Sequence, residues 1–122
     1  MRTFRGLLVW QKAHHLRVTL HQRTGGVPAE ERYGLVQQMR RAAVSIPANI
    51  TEGHRRKSKQ EFLKFLDIAH GSLDEVQYDV IRSGDRQYCP IPEASSMQAA
   101  AEAIGRMLNG LKTHVRREVR HG

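Results

Sequence analysis

The sequence predicts an all-α protein, an antiparallel up-down-up-down bundle of four helices. Apolar residues recur at alternating spacings of three and four along four stretches, which is the period of one helix face. Glycines or prolines lie between these stretches. Aromatic residues make up only 6% of the chain, and Ala, Leu, Gln, Arg and Glu outnumber the β-branched residues. That composition favours helix over strand.

The first helix is predicted over residues 4–24 and the second over residues 28–52. Gly25 and Gly26 should end the first helix, because glycine readily adopts the left-handed conformation found after a helix. Pro28 is suited to the first turn of the second helix, and Gly53 should end that helix. The two apolar stripes are Val9, Ala13, Leu16 and Leu20, then Leu35, Met39, Ala42, Ala43, Ile46 and Ile50.

The third helix is predicted over residues 58–87 and the fourth over 92–118, with the basic tail fraying. Ser58 and Glu61 have the spacing of a capping box, in which the Ser58 hydroxyl accepts from the Glu61 backbone. Gly71 lies inside the third helix, where it costs about 1 kcal/mol relative to alanine, so we expect it to permit close helix approach. The stripes are Phe62, Leu66, Ala69, Leu73, Val76 and Val80, then Met97, Ala101, Ile104, Leu108, Leu111 and Val115.

A chain of 122 residues is suited to one domain, here residues 1–122, with no linker. Only four consecutive apolar residues occur near the N-terminus, which is too few for a signal peptide, and no apolar run could span a membrane. We therefore expect a cytoplasmic protein without a membrane partner. One cysteine, Cys89, excludes an internal disulfide.

The charge is the most informative property of the composition. Twenty Lys and Arg against twelve Asp and Glu give a net charge of +8. Residues 1–60 carry twelve basic and three acidic side chains, whereas residues 61–122 carry eight and nine. A basic surplus attracts polyanions, so RNA or DNA is a candidate partner; a solvated basic surface without a specific partner is the alternative.

Two basic clusters are candidates for nucleic-acid contact, and a solvated, charged turn is the alternative interpretation of each. An antiparallel bundle places the turn between helices two and three at the same pole as the end of helix four, so both clusters should share one pole. The residues to test are Arg55, Arg56, Lys57 and Lys59 in the turn, and Arg116, Arg117 and Arg120, near Lys112 and His114, in the tail.

Pro47 lies in the middle of the second helix, where it removes a backbone donor and should kink the helix. A polar stripe flanks it, consisting of Gln38, Arg41, Ser45, Asn49 and Glu52. These groups either bond to backbone and to a neighbouring helix or subunit, or line a pocket. The structural use is favoured, because no nucleophile, base and orienting group come together.

The sequence predicts no enzyme, no metal and no cofactor. Seven histidines occur, but without HExxH spacing or any phosphate-binding glycine motif. Cys89 has no neighbouring histidine that would activate its thiol. Trp10 lies on an amphipathic helix, so it is interpreted as a core or interface anchor and not as a platform for stacked bases.

Several strings carry a family resemblance: LLVWQKAHHL, ERYGLVQQMRRAAVSIPANITEG, RRKSKQEFLKFLDIAHGSL and MLNGL. They resemble the four-helix-bundle family also called the 23S rRNA intervening-sequence protein family, which is related to the accessory variability determinant of diversity-generating retroelements. The signature positions matched are Gln38, Arg40, Arg41, Ser45, Ile46, Pro47, Asn49, Glu52, Gly53, Gly71, Ser72 and Leu73. The chain departs from the family pattern at Val27, His54, Gln77 and Tyr78.

The resemblance implies an antiparallel four-helix bundle, homopentamer assembly and no known catalytic activity. Its retroelement relative looks like a basic pentamer that binds nucleic acid and a reverse transcriptase, so a nucleic-acid enzyme is a candidate protein partner here. The expected function is a non-enzymatic, oligomeric protein that binds nucleic acid through its phosphates. The alternative is an interaction scaffold whose basic surface binds an acidic protein.

Overall fold

The structure, a computed structural model, describes residues 3–25, 32–85 and 91–121. Over those residues the chain is all-α and contains no strand, which confirms the predicted class. In chain order the elements are the 3-10 turn Phe4–Gly6, α1 (Leu8–Arg23), the π-helical turn Arg32–Val36, α2 (Gln37–His54), α3 (Lys59–Asp85) and α4 (Ile91–His121).

The first two helices differ from the predicted bounds. Leu7 is extended, with φ −75° and ψ 122°, and separates the 3-10 turn from α1. The prediction of one continuous second helix is wrong over 32–36, because Gly34 has the non-helical angles φ −102° and ψ −115°. Gly53 lies inside α2 and does not end it. The predicted start at Pro28, like Gly26, lies outside the described residues.

The last two helices follow the predictions more closely. The Glu61 backbone N–H donates to Ser58 Oγ at 3.2 Å, which confirms the predicted cap of α3. α3 continues to Asp85, and the predicted end at 87 and Cys89 lie outside the described residues. The predicted fraying beyond 118 is wrong, since α4 is helical to His121. Contacts made by Glu118, described below, explain why the tail stays on the bundle.

The helix contacts define the topology. Each helix packs against its neighbours in sequence, and α1 also packs against α4. Among the described residues α1 does not contact α3, and α2 does not contact α4, so those pairs are diagonal. Arg23 at the end of α1 pairs with Glu93 at the start of α4 at 3.4 Å. Lys59 at the start of α3 pairs with Glu118 near the end of α4, at the opposite pole.

The core consists of the four predicted apolar stripes. Every predicted stripe position of α1 and α2 is buried, whereas Phe62 and Leu111 are only partly buried. Because alternation of three and four keeps one face toward the bundle axis, each helix contributes to a single core. The largest fully buried side chains include Leu16, Leu20, Met39, Ile46, Ile50, Leu66, Leu73, Ile104 and Leu108.

A close approach of two helices occurs at Gly53 and not at Gly71. A Cβ built on Gly53 would lie 2.6 Å from Cβ of Phe65 and 2.9 Å from Cδ1 of Phe62. The end of α2 therefore packs directly on the first turns of α3. Gly71 is exposed, and a Cβ there would meet no heavy atom within 4 Å. The prediction that Gly71 permits close approach is wrong within this chain.

Candidate nucleic-acid interface

The end of the bundle formed by residues 52–61 and 113–120 is strongly basic, and we call it the basic pole. These two segments carry seven Lys and Arg side chains against three Glu side chains. The Lys59–Glu118 ion pair joins the segments directly. The structure thus places both predicted basic clusters at one pole, as the antiparallel topology required.

Arg56 is held against the surface of the bundle. Its guanidinium donates to Glu52 Oε1 at 2.6 Å and lies 5.0 Å from the centroid of the Phe65 ring. The next ring along the turn is also packed, since His54 meets Phe62 edge-on at 5.8 Å. Arg56 therefore anchors the α2–α3 turn, and its charge is already partly compensated.

Five cations of the basic pole are exposed and have no side-chain partner among the described residues. Two lie in the turn and three on the last turns of α4: Arg55, Lys57, Arg116, Arg117 and Arg120. An exposed, unpaired cation can contact a phosphate without first breaking an ion pair. Since these residues belong to two elements, the unpaired charge covers the pole and is not confined to one loop.

Lys59 belongs to the predicted cluster but is already paired. It binds Glu118, which also accepts a hydrogen bond from His114 Nε2 at 2.6 Å. The hydrogen bond from Lys59 is the main reason why the pKa of Glu118 lies below its ordinary value. The pair lines an open cleft of about 360 Å³ at the pole, together with Ser58, Gln60 and Val119.

Sequence reasoning missed Glu118, although a signal was available. Glu118 follows His114 by four residues, the spacing at which side chains meet on a helix. Its contact with Lys59 depends on the register between α3 and α4, which no local pattern specifies.

Lys112 lies inside the bundle and does not face the pole. Only 8% of the residue is exposed, and Nζ donates to Asp67 Oδ1 at 3.3 Å. Nζ also lies 3.0 Å from His70 Nδ1, so this lysine joins α4 to α3. Its role in the structure is to connect two helices.

Two members of the polar stripe bond across to α3. Ser45 Oγ lies 2.8 Å from Ser72 Oγ, and the Asn49 amide donates to Ser45 O at 2.8 Å and to Ser45 Oγ at 2.9 Å. α2 runs through Pro47 without a break, and Pro47 is buried. These contacts match the structural use expected for the stripe.

The other three members of the stripe separate. Gln38 and Arg41 are exposed and line a groove of about 310 Å³ between α2 and α3, which Ser45, Ser72 and Glu75 also line. Glu52 lies at the basic pole, where it binds Arg56. The stripe therefore contributes both helix-to-helix bonds and an open polar groove, because three of its five members line that groove while Glu52 lies at the basic pole.

Trp10 is half-buried and packs against the core. Its indole stacks on the His14 ring, with centroids 5.1 Å apart and an interplanar angle of 3°. Phe4 meets it edge-on at 5.1 Å. Because the indole packs against the core and stacks on His14, the geometry favours an anchor over a platform for bases.

The described residues show no group of three or more His, Cys, Asp or Glu side chains that could hold a metal ion. No helix within the described ranges is both long and apolar enough to cross a bilayer.

Fold and charge together define a basic four-helix-bundle protein. The chain belongs to the 23S rRNA-intervening sequence protein family, which matches residues 5–110. A crystal structure of a protein of unknown function from the S23 ribosomal protein family of Bacteroides thetaiotaomicron is similar in fold, with a TM-score of 0.80. The two are 21% identical over 87% of this chain and 96% of the other. No curated protein matches the chain.

Proposed function

We propose that this chain is a non-enzymatic, self-assembling cytoplasmic protein that binds nucleic acid through phosphate contacts at its basic pole. The observation that carries the proposal is the set of five exposed, unpaired cations at one end of the bundle. Phosphate contacts release condensed counterions, so binding depends on salt and reads little sequence. The resemblance to the family supports five copies per assembly, and five copies at +8 give a particle of about +40.

The test compares two double variants that remove the same charge. Arg55→Ala/Arg120→Ala removes two cations of the basic pole. Arg41→Ala/Arg106→Ala removes two exposed arginines that lie 14 residues earlier on the same two stretches of chain, about 21 Å away along a helix. The two variants have the same net charge, so any difference in their affinity for nucleic acid arises from the position of the removed arginines.

The measurement is fluorescence anisotropy with labelled single- and double-stranded RNA and DNA at about 50 and 200 mM salt. Arg55→Ala/Arg120→Ala, the variant of the basic pole, should bind every sequence more weakly than the control variant. The slope of log K against log salt on duplex DNA should also fall by up to about 0.9 for each cation lost from a phosphate contact. Equal affinities of the two variants would remove the basic pole from the proposal.

Folded wild-type protein that binds no nucleic acid even at the lower salt concentration would overturn nucleic-acid binding. The basic pole would then be assigned to an acidic protein partner. A pull-down with and without nuclease distinguishes that case, because a direct protein partner survives nuclease treatment.

A further inference from the structure

The carboxylate of Glu118 engages two donors of the basic pole at once. Its Oε2 pairs with Nζ of Lys59, and its Oε1 accepts a hydrogen bond from Nε2 of His114 at 2.6 Å. The two donors come from different helices, since Lys59 begins α3 and His114 lies on α4. Lys59 and His114 therefore form a site for an oxyanion with two acceptor oxygens, and the chain's own carboxylate occupies that site.

The site opens into the cleft of about 360 Å³ between the start of α3 and the last turns of α4, which we call the polar cleft. A volume of this size lies within the range of ligand pockets. Ser58 and Gln60 add a hydroxyl and an amide to its walls. The described lining residues other than Glu118 carry no negative charge, so an anion that replaced Glu118 would meet no other carboxylate there.

Glu118 can leave this site at little cost. Its side chain is 35% exposed, and those of Lys59 and His114 are more exposed still. Ion pairs on a solvated surface contribute little to stability, so an exchange of Glu118 for another oxyanion does not disrupt the fold. The balance of such an exchange depends on the charge and the number of acceptor oxygens of the incoming group.

This balance distinguishes the two kinds of phosphate in a nucleic acid. A phosphodiester within a strand carries one negative charge, as the carboxylate of Glu118 does, so the exchange gains nothing in charge. A terminal phosphate monoester carries about 1.5 to 2 negative charges at pH 7 and three strong acceptor oxygens. It therefore binds Lys59 more strongly than Glu118 does. A strand end can also enter a cleft, whereas an internal phosphate is flanked by nucleotides on both sides.

The surroundings of the polar cleft favour a nucleic-acid strand as the carrier of the monoester. Lys57 precedes Lys59 by two residues and Arg120 follows Glu118 by two, and both cations are exposed and unpaired among the described residues. A strand that ends in the cleft continues over this surface, where its next phosphodiesters can contact these cations. Free phosphate or a single phosphorylated side chain would leave the cations of the pole without a contact.

We propose that Lys59 and His114 in the polar cleft bind the terminal phosphate monoester of a nucleic-acid strand, in exchange for the carboxylate of Glu118. The inference rests on the proposed function and deepens it, because it names the part of the nucleic acid that the basic pole recognises. A strand held by its end has a fixed register on the protein, whereas contacts to internal phosphates alone would let it slide.

The test uses four single-stranded DNAs of one sequence with an internal fluorescent label. One has hydroxyls at both ends, one a 5′ phosphate, one a 3′ phosphate, and one a 5′ phosphate methyl ester, which carries a single negative charge. Wild type should bind at least one phosphorylated strand about three- to fivefold more tightly than the hydroxyl strand, the range that an exposed ion pair supports. The methyl ester should bind as the hydroxyl strand does. Equal affinity for all four strands, or a methyl ester that binds as tightly as the monoester, would overturn the inference.

Two lysine variants locate the recognition of the strand end. Lys59→Gln should abolish the preference for the phosphorylated strand. Lys64→Gln is the matched control and should keep the preference, because it removes the same charge from an exposed position five residues later on α3, outside the lining of the cleft. Circular dichroism checks that both variants keep their helical content. A preference that survives Lys59→Gln would show that the strand end binds elsewhere and would overturn the inference.

Carbon-13 NMR of the Glu118 carboxyl gives an independent measurement. Its signal should shift when the phosphorylated strand binds and should stay in place with the hydroxyl strand, because only the monoester displaces the carboxylate from Lys59. A signal that phosphorylated DNA leaves unchanged, while a phosphoserine peptide or inorganic phosphate shifts it, would assign the cleft to another ligand and overturn the inference.

The failure of this inference is distinguishable from that of the proposed function. If the strand ends make no difference, but Arg55→Ala/Arg120→Ala still weakens binding of the hydroxyl strand, the inference fails and the proposed function stands. If no strand binds folded wild type at either salt concentration, both fail.

Discussion

Arg40 on α2 donates from Nε to the Thr24 hydroxyl at 2.9 Å, immediately beyond the end of α1. The same guanidinium donates to the His21 carbonyl at 3.2 Å, and the Thr24 hydroxyl donates to the Leu20 carbonyl at 2.9 Å. The last carbonyls of a helix have no partner within the helix. Arg40 and Thr24 together supply such partners and connect α1 to α2.

Arg40→Met should lower the free energy of unfolding by about 1–3 kcal/mol, because it leaves polar groups at a partly buried site without their charged donor. Urea denaturation followed by circular dichroism measures the change. Arg41→Met is the control, since Arg41 is exposed and lies on the next position of the same helix. If both variants lose the same free energy of unfolding, the hydrogen bonds of Arg40 contribute no stability of their own.

Alanine should have opposite effects at Gly53 and Gly71. Gly53→Ala should lower the free energy of unfolding by about 1–3 kcal/mol, because its Cβ overlaps Phe65 and forces the helices apart. Gly71→Ala should raise it by up to about 1 kcal/mol, because its Cβ meets nothing and helix propensity improves. Both are measured by urea denaturation followed by circular dichroism.

Glu118→Gln should strengthen nucleic-acid binding. The substitution removes the carboxylate that pairs with Lys59 and so adds one available cation to the basic pole. The salt slope on duplex DNA should steepen by up to about 0.9. Glu102→Gln, an exposed carboxylate on α4 about 24 Å earlier along the helix, makes the same charge change and is the control.

The direction in which pH changes the stability contributed by Glu118 follows from its pKa. Its pKa in the folded protein is lowered from 4.5, so the stability it contributes is present above that ordinary value and is lost as pH falls through the lowered one. The difference in affinity between wild type and Glu118→Gln should therefore persist across the neutral range. A difference that vanishes between pH 6 and 8 would contradict the ion pair.

Asp79→Asn should stabilise the protein at neutral pH. Asp79 is 3% exposed, and its Oδ2 has no hydrogen-bond partner among the residues that the structure describes. Burial is the main reason why its pKa is raised above 3.8; Glu75 adds to the increase and Arg82 opposes it. A raised folded pKa means that ionised Asp79 destabilises the native state above that pKa, and that this cost vanishes below the ordinary value.

Urea denaturation at several pH values tests whether ionised Asp79 destabilises the native state. The stability gained by Asp79→Asn should be largest near pH 7 and should shrink as pH falls, vanishing only below the ordinary value of 3.8, where the carboxyl is protonated in both states. Glu102→Gln, whose carboxylate is exposed, should show no such trend. A gain independent of pH would assign the effect to packing and not to ionisation.

The core could be predicted from the sequence because it follows from local periodicity, and the topology because the four helices are of similar length and joined by short connections. Met39 and Ile46 are buried because their spacing places them on one helix face, and that spacing is visible in the sequence. The start of α2 was not predictable in this way. The segment around Gly34 continues an apolar helical pattern, yet its backbone leaves the helical region there.

The residues that form the basic pole could be predicted from the sequence. Whether each of their charges is paired could not. Arg55 and Lys57 are unpaired whereas Lys59 is paired, although all three lie in one basic run. The difference arises from Glu118, which reaches Lys59 from another helix. Gly71 shows the same limit, because a helical pattern marks a glycine as costly without showing whether any neighbour requires its small size.

The tight packing at Gly53 has a consequence for the thermodynamics of recognition. The α2–α3 turn is pinned on one side by the contact of Gly53 with Phe65 and on the other by the Ser58 cap, so Arg55 and Lys57 start from a preorganised backbone. The conformational entropy of this segment is lost when the protein folds and not when it meets a polyanion. Amide hydrogen exchange in residues 54–59 should consequently be almost the same with and without bound ligand.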